Sequence, residues 1–163
     1  MKYLLIVRHA QSSLDYNGFD DFKRPLTERG IKDASLMGEK LIKNKFIPDY
    51  IISSGANRAL ETSRIIAEGV GHNVNEIKIE NRIYNSSIDI MMELIQNISD
   101  DYSKIMITGH NPILHYISQT LTGKTILKFS PCTMICISFD IENWFELVNK
   151  GEKIFMIFPE MYR

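Results

Sequence analysis

A chain of 163 residues with 44% hydrophobic and 24% charged side chains is long enough to bury a substantial core as one domain, residues 1–163, and too apolar to remain disordered. Its 19 Lys+Arg against 20 Asp+Glu leave a formal charge of −1, which excludes an overall field that would hold nucleic acid or an anionic membrane, so any basic feature must be local. The longest apolar stretches, YLLIV and TMICISF, fall well short of the ~20 residues of a membrane span, and the N-terminus carries no leader pattern. The expectation is a cytoplasmic protein with no nucleic-acid or membrane partner.

Tyr3 to Val7 is a continuous apolar run, the pattern of a central strand covered on both faces, and it stops at Arg8 and His9. A polar loop from Gln11 to Pro25 leads into PLTERG. There Thr27 is the expected N-cap of a helix over Glu28–Lys43, with Ile31, Ala34, Leu36, Met37 and Leu41 at helical spacing. Tyr50 to Ile52 predicts a short strand, and SSG then opens a helix carrying Ala59, Leu60, Ile65, Ile66 and Ala67 and closed by glycine. A short strand is expected within Glu76–Ile83, a helix over Ile88–Ile98, and a strand over Lys104–Ile107 that stops at TGHNP. Pro112 fits the first turn of a last helix running to Leu121.

Strands alternating with helices predict βαβ units and a mostly parallel sheet. The tail differs: Phe129–Phe139 and Trp144–Phe158 read as two or three strands with DIEN and NKGEK as turns, an antiparallel hairpin at one sheet edge. The predicted fold is therefore a three-layer α/β/α sandwich with a C-terminal antiparallel hairpin. Cys132 and Cys136, four apart in this β-rich run, point to one face of a strand and are too far apart to bond to each other. With too few partners for zinc, they are expected to be buried free thiols.

Three strand ends carry polar residues: Arg8-His9, then Ser53-Ser54-Gly55 with Arg58, then Gly109-His110-Asn111. In an open parallel sheet ligands bind beyond the carboxyl ends of the strands, so the three should converge. Two imidazoles and two guanidiniums suit a tetrahedral dianion, because arginine forks match phosphate oxygens. A neutral imidazole can also accept a phosphoryl group and pass it to water, and arginines that neutralise the equatorial oxygens leave no need for a metal or cofactor.

Simpler readings compete with this one. The first strand could merely meet solvent at Arg8-His9, Arg58 could pair with Glu61 one turn on, and His110 could cap the following helix. His115 lies about 140° round a helix from His110 and forms no metal pair with it. Ser12 and Ser13 could donate to phosphate from the loop, and Arg24 could stand at a substrate rim.

LIVRHAQSS, RPLTERG, SSGANRALETSRII and ITGHNPIL resemble the histidine phosphatase superfamily, whose members are phosphoglycerate mutase-like, and their compact arrangement is most similar to its short SixA-type phosphohistidine phosphatase branch. The tail, with a Trp144 strand and a late Phe-Pro, is similar as well. The resemblance implies that His9 is the nucleophile that becomes phosphorylated, that Arg8 and Arg58 bind phosphate, and that His110 hydrogen-bonds the phosphoryl oxygens as a cation. Larger relatives place a general acid near the third helical region. Here Glu80 in IKIENRIYNSS is the nearest carboxylate, although a strand there would turn it away, and Tyr84 matches a tyrosine of the short branch. The implied activity is a metal-independent phosphatase with a phosphohistidine intermediate, acting on a phosphorylated protein bearing phosphohistidine. The alternatives are a small-molecule phosphomonoesterase that takes a phosphorylated metabolite at the same site, and a non-catalytic phosphate-binding module.

Overall fold

The computed structural model describes residues 1–14, 20–148 and 150–163. Part of the loop expected over 11–25, and Asn149 of the NKGEK turn, lie outside the described residues. The strands are β1 (Lys2–Arg8), β2 (Tyr50–Ser53), β3 (Lys78–Ile79), β4 (Lys104–Gly109), β5 (Met134–Phe139) and β6 (Glu152–Ile157). The helices are α1 (Glu28–Lys43), α2 (Asn57–Val70), α3 (Ile88–Gln96) and α4 (Ile113–Thr122).

All six strands join in one sheet of order β3-β2-β4-β1-β5-β6. β1, β2, β3 and β4 pair in parallel, whereas β5 runs antiparallel to both β1 and β6. The continuous apolar run of β1 is explained by its place in the middle: Leu4 and Ile6 enter the core on one face, and Leu5 and Val7 enter the core on the other. α3 and α4 cover the first face through Met91, Ile95, Leu114 and Ile117, and α1 and α2 cover the second through Met37, Leu41, Ile66 and Ala67. This is the expected three-layer α/β/α sandwich. Among the described residues no helix is long and apolar enough to cross a membrane.

Local signals fix the helix ends. The Thr27 hydroxyl accepts from Gly30 N at 3.0 Å, which satisfies one of the free donors at the start of α1. α2 ends on Gly71 at φ 77°, a left-handed position that glycine adopts without strain. Ile31, expected on the buried face of α1, is instead 43% exposed.

Four expectations are corrected. The strand within Glu76–Ile83 shrinks to Lys78–Ile79, flanked by 3-10 turns at Val74–Glu76 and Asn81–Ile83. Pro112 is the N-cap of α4 and does not lie in its first turn. Trp144 starts a 3-10 turn, not a strand, because Asn143 and Glu146 form a reciprocal capping box there. Its buried indole N–H donates to the Tyr102 carbonyl at 2.8 Å. Finally, β5 begins only at Met134, and Cys132 before it has φ 63°, so the two cysteines do not share a strand. Both are buried and free.

Candidate active site

β1 delivers His9 one residue past its end, still clamped by the sheet. His9 N donates to the Gly109 carbonyl at 3.0 Å, and the His9 carbonyl accepts from Cys132 N at 3.0 Å. The ring Nδ1 lies 2.7 Å from the Ala10 carbonyl. A carbonyl can only accept, so Nδ1 carries the proton and Nε2 keeps its lone pair. Burial, with smaller contributions from His110, Arg58 and Arg8, pushes the His9 imidazole down to about 3 against the opposing Ala10 hydrogen bond. The ring is therefore a neutral base at physiological pH.

The turn after His9 is tied to α2. Ala10 N donates to the Thr62 hydroxyl at 2.9 Å, and that hydroxyl donates to the Arg58 carbonyl at 2.7 Å. α1 holds the same turn from the other side: Thr27 N donates to the Gln11 carbonyl at 3.0 Å. A Cβ on Gly30 would come within 2.1 Å of that carbonyl oxygen, which explains the glycine in RPLTERG.

Arg8, at the end of β1, donates through NH1 to the Phe129 carbonyl at 3.1 Å. Arg58, in the first turn of α2 and only 5% exposed, donates through NH1 to the Asp21 carbonyl at 2.7 Å and through NH2 to Asp21 Oδ2 at 3.1 Å. Its partner is thus Asp21 and not Glu61. Burial and the nearby Arg58 guanidinium lower the pKa of Arg8, as expected of two cations sharing one site.

His110 follows β4, its ring centroid 5.4 Å from that of His9. Its Nε2 lies 2.8 Å from the Ser54 hydroxyl, which also accepts from Ala56 N at 3.2 Å. Burial first and Arg58 second push His110 down to about 4, with Asp21 opposing. These surroundings favour the neutral ring over the cation expected above. The Nε atoms of Arg8 and Arg58 and the Nδ1 of His110 are buried without a hydrogen-bond partner among the described residues. Buried polar groups left unpaired are costly, and two guanidiniums held side by side in one site suit an anion.

Beside this clamp opens a cavity of ≈ 600 Å³, lined by Asp21, Arg58, Tyr84, His110, Ile113 and Tyr116 among others. Tyr84 donates its phenol proton to Asp21 Oδ2 at 2.5 Å and sets its ring edge-on to His110 at 5.4 Å. The Tyr84 hydrogen bond first, then Arg58 and Arg24, hold the Asp21 carboxyl below the usual carboxylate range against the opposing effect of burial.

The structure brings His9, Arg8, Arg58 and His110 together. It does not bring Glu80 to them. Glu80 caps the 3-10 turn Asn81–Ile83, pairs with Arg82 at 3.1 Å and lines a separate surface cavity with Tyr102. Its backbone N–H is used to donate to the Ser53 carbonyl at 2.8 Å, and the side chain turns outward. Ser12 pairs through an isolated antiparallel bridge with Leu26. Sequence reasoning missed Asp21 and the Ser54 contact to His110. No cluster of three or more His, Cys, Asp or Glu side chains suited to a metal ion occurs among the described residues.

The family model for the histidine phosphatase superfamily (branch 1) matches residues 4–104. An uncharacterised protein of Mycobacterium leprae (strain TN) is 32% identical over 121 residues, 72% of this chain and 71% of that one. An uncharacterised chloroplastic protein of Arabidopsis thaliana is 30% identical over 151 residues, 88% of this chain and 69% of that one. Among solved structures, the protein histidine phosphatase SixA complexed with tungstate superposes with a TM-score of 0.85 over 99% of both chains at 18% identity, which shows a shared fold.

Proposed function

Because the chain belongs to the histidine phosphatase superfamily, we propose that it is a phosphatase that works through a phosphohistidine formed on His9, without a metal, and that its substrate is a phosphohistidine on another protein. The observation that carries the reading is the His9 ring: neutral, with Nδ1 committed to the Ala10 carbonyl at 2.7 Å and Nε2 keeping its lone pair, beside the guanidiniums of half-buried Arg8 and buried Arg58.

In this reading Arg8 and Arg58 take the equatorial phosphoryl oxygens and neutralise their charge. His9 Nε2 attacks phosphorus in line, the bond to the leaving group breaks, and its electron pair departs with the leaving atom. The Ser54 O–H donates a hydrogen bond to His110 Nε2 and keeps its proton, which leaves Nδ1–H as the ring's own donor, directed to a phosphoryl oxygen in this reading. Water then attacks the phosphohistidine, releases inorganic phosphate and restores the neutral ring. Asp21, the carboxylate paired with the clamp, is held ionised by Tyr84, Arg58 and Arg24 and so has no proton to give the leaving group. A phosphoramidate fits such a site because its labile P–N bond needs less help from a general acid than an alkyl phosphate does.

A small-molecule phosphomonoesterase is the second reading, supported by the ≈ 600 Å³ cavity next to the clamp, a size that suits a compact metabolite. A parallel assay separates them: a phosphohistidine protein against a panel of sugar and nucleotide phosphates. The main reading expects the highest kcat/KM on the phosphohistidine protein, no turnover by His9→Ala and no loss with EDTA. A preference for one of the metabolites would move the assignment to the second reading, and an active His9→Ala would remove the intermediate altogether.

A further inference from the structure

Asp21 is an anion placed in a site built for anions. Its Oδ2 takes Arg58 NH2 at 3.1 Å and the Tyr84 phenol at 2.5 Å, and its Oδ1 takes Arg24 Nε at 3.1 Å. The side chain is 47% exposed, whereas that of Arg58 is 6% exposed. A phosphoryl dianion arriving at Arg58 must compete with this carboxylate and is also repelled by it. Ionised, the carboxylate has no proton to give an alkoxide. Its three donors make it a strong acceptor that is held in place.

In-line attack puts the leaving group on the side of phosphorus opposite His9, and the cavity bordered by Asp21, Tyr84, Ile113 and Tyr116 opens beside Arg58 and His110. One class of leaving group turns the carboxylate into an asset. An N-phosphorylated imidazole that is protonated carries a positive ring with an N–H on the nitrogen remote from phosphorus. Tyr84 and Tyr116 offer such a ring aromatic surface, and Asp21 offers its N–H a charged acceptor.

We propose that Asp21 is the specificity-determining residue of the site, accepting a hydrogen bond from the N–H of a cationic nitrogen leaving group and so selecting N-phosphorylated imidazoles over O-phosphorylated alcohols. The proposal rests on the phosphatase reading above and deepens it. The step balances: the His9 Nε2–P bond forms and the substrate P–N bond breaks. The electron pair returns to the leaving nitrogen, and the imidazolium becomes a neutral imidazole that keeps the proton on its remote nitrogen. No acid has to supply a proton. When the phosphoryl oxygens take Arg58, Tyr84 and Arg24 keep the carboxylate in position.

The test compares the wild-type protein with Asp21→Asn on three substrates: a phosphohistidine peptide, free N-phosphoimidazole and p-nitrophenyl phosphate. For Asp21→Asn, kcat/KM on both phosphoramidates is expected to fall on the order of tenfold, the loss of one charge-assisted hydrogen bond. On p-nitrophenyl phosphate it is expected to rise, and vanadate is expected to bind several-fold more tightly, because Arg58 is released and the repulsion is gone. Tyr84→Phe, which keeps the carboxylate but loosens it, should lower the ratio of phosphoramidate to ester activity several-fold. A parallel fall on all three substrates would overturn the proposal and make Asp21 a brace for Arg58, and an unchanged ratio in both variants would overturn it as well. A wild-type protein that ignores the peptide while Asp21→Asn still shifts the ratio of N-phosphoimidazole to ester sinks the protein-substrate reading and supports the role of Asp21.

Discussion

A neutral imidazole with one nitrogen committed to a carbonyl is a poised nucleophile across most of the pH scale. With His9 pushed down to about 3 and His110 to about 4, kcat/KM corrected for the substrate's own phosphate ionisation near ~6 should not bend on the acid side near the ordinary histidine value of about 6.5. An inflection in a pH–rate profile of free enzyme should appear only below pH ~5. Arg58→Ala should weaken vanadate binding on the order of a hundredfold, since it removes a guanidinium that is 5% exposed and leaves the anion without its fork; isothermal titration reads this directly. The convergence of Arg8, His9, Arg58 and His110 is legible in the sequence because each stands at or shortly after the end of a recognisable strand, and the sheet fixes where strand ends go. Asp21 is not, because an aspartate in a polar loop carries no periodic signal. Glu80 misled because proximity in sequence is not proximity in space: its 3-10 turn carries the carboxylate to Arg82.

The elements around His9 act as a vice. α2 grips the turn after β1 through Ala10 N–H and the Thr62 hydroxyl, and Thr27, the N-cap of α1, holds Gln11 through both its backbone N–H and its hydroxyl. Thr62→Val keeps the shape but leaves Ala10 N–H without an acceptor in a fully buried place, so it should cost about 1–3 kcal/mol of unfolding free energy. Thr62→Ser should recover most of it; denaturant melts compare the two. Gly30→Ala should be harsher on activity than on stability, because the new methyl meets backbone and not a flexible side chain and must displace the Gln11 carbonyl beside the His9 turn. Helices with a capping threonine or a closing glycine were easy to read. The tail is harder: apolar content alone cannot tell a strand from a buried turn, so Trp144 and Phe129–Thr133 read as strand in the sequence and lie outside the strands of the fold.

On the scale of the whole molecule, two buried neutral histidines link stability to pH. Each binds no proton in the folded state until the pH falls to about 3 or about 4, while the unfolded chain takes up protons below its ordinary value near 6.5. Their contribution is complete above about pH 6.5 and shrinks on acidification, by up to ~1.4 kcal/mol per pH unit for each ring. The melting temperature should therefore drop between pH 6.5 and 4, and His9→Gln should show a shallower drop than the wild type. The layering of the molecule was readable from alternating elements, but the strand order was not, since nothing in β4 announces that it inserts between β2 and β1. Nor does the sequence announce the reversed direction of β5, which runs against β1 and so brings the chain into the sheet at the His9 end. Its approach contributes main-chain atoms: the Phe129 carbonyl to Arg8 NH1, the Thr133 carbonyl to Arg8 N, and Cys132 N to the His9 carbonyl. This wall of the site is written in backbone, in a stretch beyond the 4–104 span of the family match. Such a stretch can change its letters while keeping its length, and a one-residue insertion at 130–132 should silence the protein where most substitutions at Ser130 or Pro131 leave it working.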